Sequence, residues 1–290
     1  MGVGASRREG YLGTEGFLTS DLTFDFLDDL ALATARRRTD PYAHLKARRI
    51  ERIGPLLEFV SLSKAQALPF DALQFCEVGD TMLAACNTGQ SSLGSYFEAK
   101  NAQVGFIVTN RDPYMDDQHY WTAFCRKAQE AAELSLPKPV AQGLIGAMRE
   151  IEENVHIHSE RAYDGIVGYR GTVDDFEFAV VDSGVGILKS LQRSPDYQSL
   201  TDTGTAIKTA LTDGESSLRY RNTGRGYGFH DLFVGLANLN GELRFRSGDH
   251  ALTIDGVSPS LVTARLCQKV EMPGFLVSIL SRAGPAQILS

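Results

Sequence analysis

The stretch Val180-Val181-Asp182-Ser183-Gly184-Val185-Gly186-Ile187 decides how the rest of the chain is read. An apolar run, Phe176 to Val181, ends on the carboxylate Asp182, and glycines follow at alternate positions. This predicts a buried strand running into a tight loop where the backbone comes close to something. Asp- and Gly-rich turns after strands are common, so the stretch gains meaning from two others: Glu150–Asn154 before it and Gly224–Gly228 after it.

Upstream, Asp116–Leu134 predicts a helix with Tyr120, Phe124, Ala128 and Ala131 on one face. Pro137 and Pro139 stand where prolines are tolerated, at the start of the next helix. That helix carries Val140, Leu144, Met148, Ile151 and Val155 as its buried stripe. A second face presents Gly143, Ala147, Glu150 and Asn154, the pattern of a helix that packs closely and then offers functional groups. Two strands are expected next, Gly165–Arg170 and Phe176–Asp182, then a short helix, Ile187–Leu191. The long polar connection Gln192–Asn222, with one helix at Thr205–Leu211, has the length of a functional lid. Gly224-Arg225-Gly226-Tyr227-Gly228 then opens a helix, Phe229–Leu239. Three strands close the chain: Glu242–Ser247, Ala251–Asp255 and Gly274–Ser281.

The N-terminal part is less regular. Residues 1–20 are Gly- and Ser-rich and read as a flexible tail; Gly2 and Ser6 meet only a loose myristoylation pattern. Asp21 to Arg38 is too mixed to assign to helix or strand. Thr39-Asp40-Pro41 is a helix start, and Ala43 to Leu62 has helical spacing with Pro55 predicting a kink or two helices. Arg36–Arg38, Lys46, Arg48, Arg49 and Arg52 read as a solvated helix face. Short apolar runs at Ala72–Val78 and Thr81–Ala85 and a buried strand at Gln103–Thr109 follow. The turn residues Asn110-Arg111-Asp112-Pro113 mark a boundary. The expected organisation is a tail (1–20), an N-terminal α/β module of unassigned role (21–112) and a second domain (113–290).

The bulk numbers suit a globular protein. The chain has 290 residues, 43% hydrophobic and 22% charged, enough to bury a full core. A net charge of −7 argues against a protein that coats nucleic acid or anionic membrane. No apolar run approaches the roughly 20 residues of a membrane helix, and the first residues lack a signal-peptide core. Cys76, Cys86, Cys125 and Cys267 are scattered, which fits a reduced, cytoplasmic protein without a disulfide framework or zinc site.

The order of these features is specific: a helix with Glu150 and Asn154, Asp182-x-Gly184-x-Gly186, a lid, then Gly224-x-Gly226-x-Gly228 opening a helix, then strands. From Asp116 to Arg282 the chain resembles the GHKL ATP-binding superfamily of gyrase B subunits, heat-shock chaperone ATPases, histidine kinases and MutL proteins. The text from Arg149 to Ala162, with Glu150, Asn154-Val155 and His158-Ser159, looks most like histidine kinases of the nitrate-sensor and lipid-desaturation-sensor type. The resemblance implies a Bergerat-type ATP-binding fold. That is an α+β two-layer sandwich, a mixed sheet with helices on one face, here preceded by the small α/β module.

It also implies ATP and Mg²⁺ as ligands. Asn154 would offer a hard oxygen to the Mg²⁺ that holds the phosphates. Glu150, one turn earlier, would act as general base or polarise a water. Glu153 would steady a neighbouring group. Asp182 would accept the adenine amino group, with Gly184 and Gly186 letting the backbone pass under the base. Gly224, Gly226 and Gly228 would turn amides toward the phosphates, and Arg225 would reach a phosphate oxygen. His158 reads as packed against the lid. One departure stands out: Pro273-Gly274 is followed by Phe275 where many members have threonine.

Three activities stay open: a histidine- or serine-kinase-like protein kinase, an ATPase switch, and an ATP-sensing module. His44 precedes Leu45 and His119 precedes Tyr120, so neither has the acidic neighbour of a phospho-acceptor box; His230-Asp231 has it but lies inside the glycine box. A protein partner, or self-association, is expected through residues 21–112, and neither membrane nor nucleic acid.

Overall fold

The computed structural model describes residues 20–45, 48–65, 67–69, 71, 77–78, 96–98, 103–109, 118–160, 165–212, 240–256 and 261–284. The elements in chain order are β1 (Ser20–Asp21), α1 (Phe24–Ala35), α2 (Pro41–Leu45), β2 (Arg48–Ile50), α3 (Ile53–Lys64), β3 (Glu77–Val78), β4 (Tyr96–Glu98) and β5 (Val104–Thr109). They continue with α4 (Gln118–Ala132), α5 (Lys138–His158), β6 (Gly165–Gly171), β7 (Asp175–Val181), α6 (Gly186–Leu191), α7 (Thr203–Thr212), β8 (Gly241–Gly256) and β9 (Arg265–Arg282).

The fold is α+β around a six-stranded sheet of order β4-β5-β6-β7-β9-β8. Every neighbouring pair in it is antiparallel. This differs from the mixed sheet expected; among the described residues, parallel pairing occurs only in the small sheet β1-β2-β3. The two last strands are longer than their hydrophobic runs. Glu242–Ser247 and Ala251–Asp255 are one strand, β8, joined through irregular register at Ser247, Gly248 and His250.

Side chains alternate across a strand, so each face can be read from its neighbours. Phe176, Phe178 and Val180 of β7 enter one core with Ile107, Val167, Leu243, Phe245, Val277 and Ile279. The helices α4 and α5 cover it with Phe124, Ala128, Ala131, Leu144, Met148, Ile151 and Val155, as their periodicity predicts; Tyr120 alone of that stripe is exposed. The intervening residues Ala179 and Val181 enter a second core with Phe106, Ile166, Met272 and Leu276. Here Leu27, Leu30 and Ala31 of α1 and Ile53, Leu56, Leu57 and Val60 of α3 form the cover.

Helices therefore lie on both faces, and the arrangement has three layers where two were expected. The cause is legible in the strands: an apolar second face has to be covered. Residues 96–98 and 104–109, from the segment read as the N-terminal module, are strands of this same sheet. The helical run after Asp40 breaks at β2 and not at Pro55, which sits in the first turn of α3 where its missing N–H is harmless. Thr23 caps α1 by accepting from the Phe26 amide at 3.2 Å.

Buried charge ties the second layer to the sheet. Arg244 and Arg246 alternate with Leu243 and Phe245, and both are buried. Arg244 Nε donates to Glu58 Oε2 at 2.8 Å, and its Nη2 donates to Glu58 Oε1 at 2.7 Å and Asp28 Oδ1 at 2.8 Å. Arg246 pairs with the same Glu58 and donates to Asp28 Oδ1 at 3.2 Å. Lys269 Nζ lies 2.7 Å from Asp28 Oδ2. Burial alone would raise the Glu58 carboxyl; the two guanidiniums outweigh it and hold the group below the ordinary carboxylate range.

A second anchor is Glu177 on β7. Its carboxylate accepts from the amides of Ile53 at 3.0 Å and Gly54 at 3.2 Å, capping α3 from a neighbouring strand. Arg52, expected on a solvated face, donates to Glu177 at 2.9 Å and to Glu242 at 2.9 Å. Arg48 stacks over the Phe26 ring at 3.8 Å, while Arg36–Arg38 are exposed.

Candidate functional site

Asp182 is the first residue beyond β7, and 1% of it is exposed. Its amide donates to Phe275 O at 3.0 Å, which extends the pairing with β9 by one residue. Its Oδ1 accepts from the Gly184 amide at 2.5 Å, an Asx turn that reverses the chain. The Val185 amide then donates to Ser159 O at 3.0 Å, at the C-terminal end of α5. A Cβ on Gly184 would overlap the Ser159 backbone, so only glycine allows this docking.

The turn ends at Gly186, which has φ +76°. A Cβ there would stand 2.8 Å from Ser247 Oγ. The Ser247 hydroxyl accepts from the Ile187 amide at 3.0 Å and donates to Gly274 O at 2.7 Å. Gly274, at φ +67°, lies directly against the carbonyl and carboxylate oxygens of Asp182. The close approach that the sequence demanded at Gly184 and Gly186 is thus made to the chain itself, at Ser159, Ser247 and Gly274. In the sequence the departure from the family pattern is Phe275, and nothing marks Gly274 or Ser247 as a contact of this turn. A serine within a strand carries no local signal; Gly248 directly after it, with φ +52°, marks the irregularity there.

Helix α5, which carries the other predicted residues, ends at this turn. With a rise of about 1.5 Å per residue, Asn154 lies roughly 7–8 Å along the axis from Ser159, and Glu150 roughly 13–14 Å. Glu150 is exposed, and Asn154 and Glu153 are half-buried. Close packing expected along this face does not extend to Gly143, where no atom lies within 4 Å of an added Cβ; Ala147 is buried. On another face Glu152 and His156 pair at 2.6 Å. His158 is half-buried, and burial, aided by Arg193, pushes its imidazole below the ordinary range, favouring the neutral ring. Gly224, Arg225, Gly226 and Gly228 lie outside the described residues.

Chemically, the described part of the site offers a carboxylate seated in a turn and a helix presenting an amide oxygen and a solvent-facing carboxylate. Among the described residues no group of three or more His, Cys, Asp or Glu side chains is placed to hold a metal ion. A Mg²⁺ that keeps waters and phosphate oxygens needs only one or two protein ligands, which Asn154 suits. No protein-family model matches the sequence, and a search of curated proteins returns no significant match. Among the described residues no helix is long and apolar enough to cross a membrane.

Proposed function

We propose that residues 113–290 bind ATP with Mg²⁺ in a GHKL-type pocket, and that the protein is a cytoplasmic, histidine-kinase-like regulator. The reading is carried by one observation: the Val185–Ser159 hydrogen bond seats the turn holding Asp182 on the end of the helix holding Asn154 and Glu150. These residues are separated in sequence, and the resemblance requires them at one place. In this reading Asp182 selects adenine, Asn154 holds the metal, Glu150 orients or activates the attacking group, and Gly224–Gly228 with Arg225 meets the phosphates. A protein partner or a second copy engages through residues 21–112.

A second reading, an ATPase switch, is favoured by the packing of α1 and α3. They cover β7 and β9; Asp182 directly follows β7, and Gly274 lies within β9. The missing acceptor box points the same way. Calorimetry tests the site: Asp182→Asn, which reverses one hydrogen-bonding role of the carboxylate, is expected to lose ATP affinity, and unchanged affinity would sink the assignment. Incubation with γ-labelled ATP separates the chemistries. Label kept on protein indicates a kinase; free phosphate that disappears with Glu150→Ala indicates a hydrolase; neither leaves an ATP sensor.

A further inference from the structure

We propose that Ser247 is a positioning residue for the bound nucleotide, an inference that rests on the ATP-binding reading above. The ladder between β8 and β9 is interrupted just after Ser247. Ser247 pairs with Phe275, whereas the next residue, Gly248, pairs with Met272. Pro273 and Gly274 are therefore left out of the ladder, and the Gly274 carbonyl needs another donor. The Ser247 hydroxyl supplies it at 2.7 Å.

The same hydroxyl meets a second need. Helix α6 opens with Val185 at its cap position, which makes no side-chain capping bond. The Ile187 amide in the first turn has no partner within the helix. Ser247 Oγ accepts from it at 3.0 Å, a cap delivered from a neighbouring strand. Ser247 is buried, so water does not substitute easily for either bond.

These two bonds hold the Asp182 turn from both sides. Ile187 is the residue just past Gly186, so it fixes where the turn ends. Gly274 lies against the Asp182 oxygens, so it fixes where the carboxylate sits. One hydroxyl thus sets the position of the group that would meet the base, without touching the ligand itself. Losing it leaves the turn formed by the Asp182–Gly184 and Val185–Ser159 bonds and its start tied to β9 by the Asp182–Phe275 bond, but releases its Gly186–Ile187 end and the Gly274 carbonyl.

The test uses the full chain and Mg²⁺-ATP. Ser247→Ala is expected to weaken binding by about tenfold, the equivalent of one to two net hydrogen bonds. Ser247→Thr, which keeps the hydroxyl, is expected to restore affinity. Ile166→Val, a destabilising change in the second core, serves as the control and is expected to leave affinity unchanged. Hydrogen exchange of the Ile187 amide without ligand is a second readout, and it should speed up in Ser247→Ala and not in Ser247→Thr. Unchanged Ile187 exchange, or faster exchange with unchanged affinity, overturns the positioning role, as does affinity loss in Ile166→Val equal to that in Ser247→Ala. Absence of binding by the unmodified chain overturns the ATP reading and this inference with it.

Discussion

Glu58→Gln removes one negative charge from the buried cluster between α3 and β8 while keeping the side-chain volume. The cluster sets three cations, Arg244, Arg246 and Lys269, against two carboxylates, Asp28 and Glu58. After the change the same cations face Asp28 alone. Glu58 and Arg246 are fully buried and Arg244 is 2% exposed, so water reaches the cluster only at half-buried Lys269 and screens little of the Glu58 contacts. Breaking a buried pair from one side costs about 3–5 kcal/mol. For a chain of this size that corresponds to a fall in Tm on the order of 10 °C. Urea unfolding measures it directly as a drop in midpoint at unchanged slope.

The pH dependence carries its own sign. Glu58 has a folded pKa below its ordinary value of 4.5, so its contribution is fully present above 4.5. It is lost as pH falls through the lower, folded value. The gap between the unmodified chain and Glu58→Gln should close as the solution is acidified below that window. A companion variant, Glu58→Leu with Arg244→Met and Arg246→Met, removes the charges together and leaves Asp28 paired with Lys269. It should recover most of the loss, because uncompensated burial, and not the missing contacts, is the dominant cost. A loss below about 1 kcal/mol for Glu58→Gln, the scale of an exposed pair, would refute the reasoning.

Two further outcomes follow from the same geometry. Gly274→Ala forces a side chain into the left-handed region, at φ +67°, and into the Asp182 oxygens. It should cost about 1–3 kcal/mol and expose the Asp182 amide to hydrogen exchange. Burial, against a smaller opposing effect from Arg149, pushes the Cys125 thiol up to about 12, whereas Cys267 is exposed. At pH 8 a thiol reagent should modify Cys267 in the folded protein and spare Cys125, and rapid labelling of Cys125 would contradict its placement in the core.

The sequence discloses this fold where a segment's partner face is written into its own period. Helices α4 and α5 show their stripes, and β5, β6 and β7 show apolar runs bounded by turn residues, so these elements fall close to their expected places. Helix α1 does not, because Asp25, Asp28 and Asp29 interrupt its apolar pattern, and one of them, Asp28, is buried for a reason that lies elsewhere. Arg244 and Arg246 show the same limit from the other side. A strand reading Leu-Arg-Phe-Arg has the alternation of a sheet with one wet face. Only the arrival of Asp28 and Glu58, 216 and 186 residues away in the chain, makes that face an interior. At the candidate site, Asp182, Gly184 and Gly186 declare a tight turn by residue type alone. What the turn packs against is set by Ser159, Ser247 and Gly274, none of which has a local signature.

The two faces of the sheet are joined through adjacent residues of the same strands. On β8, Arg246 is held by Glu58 and Asp28 of the N-terminal helices, and the next residue, Ser247, holds Ile187 and Gly274 at the candidate site. On β7, Glu177 caps α3, and Asp182 leaves the end of the same strand. Sliding α3 along the sheet would therefore break the Glu177 cap and strand the Glu58 cluster at once, each a buried charged contact. Such contacts resist graded displacement, because a partial shift leaves charge unpaired without reaching a new partner. If residues 21–112 transmit a signal to or from the Asp182 turn, the movement that satisfies these bonds is a joint shift of α1, α3, β7, β8 and β9. The alternative is release of the helical layer as a whole.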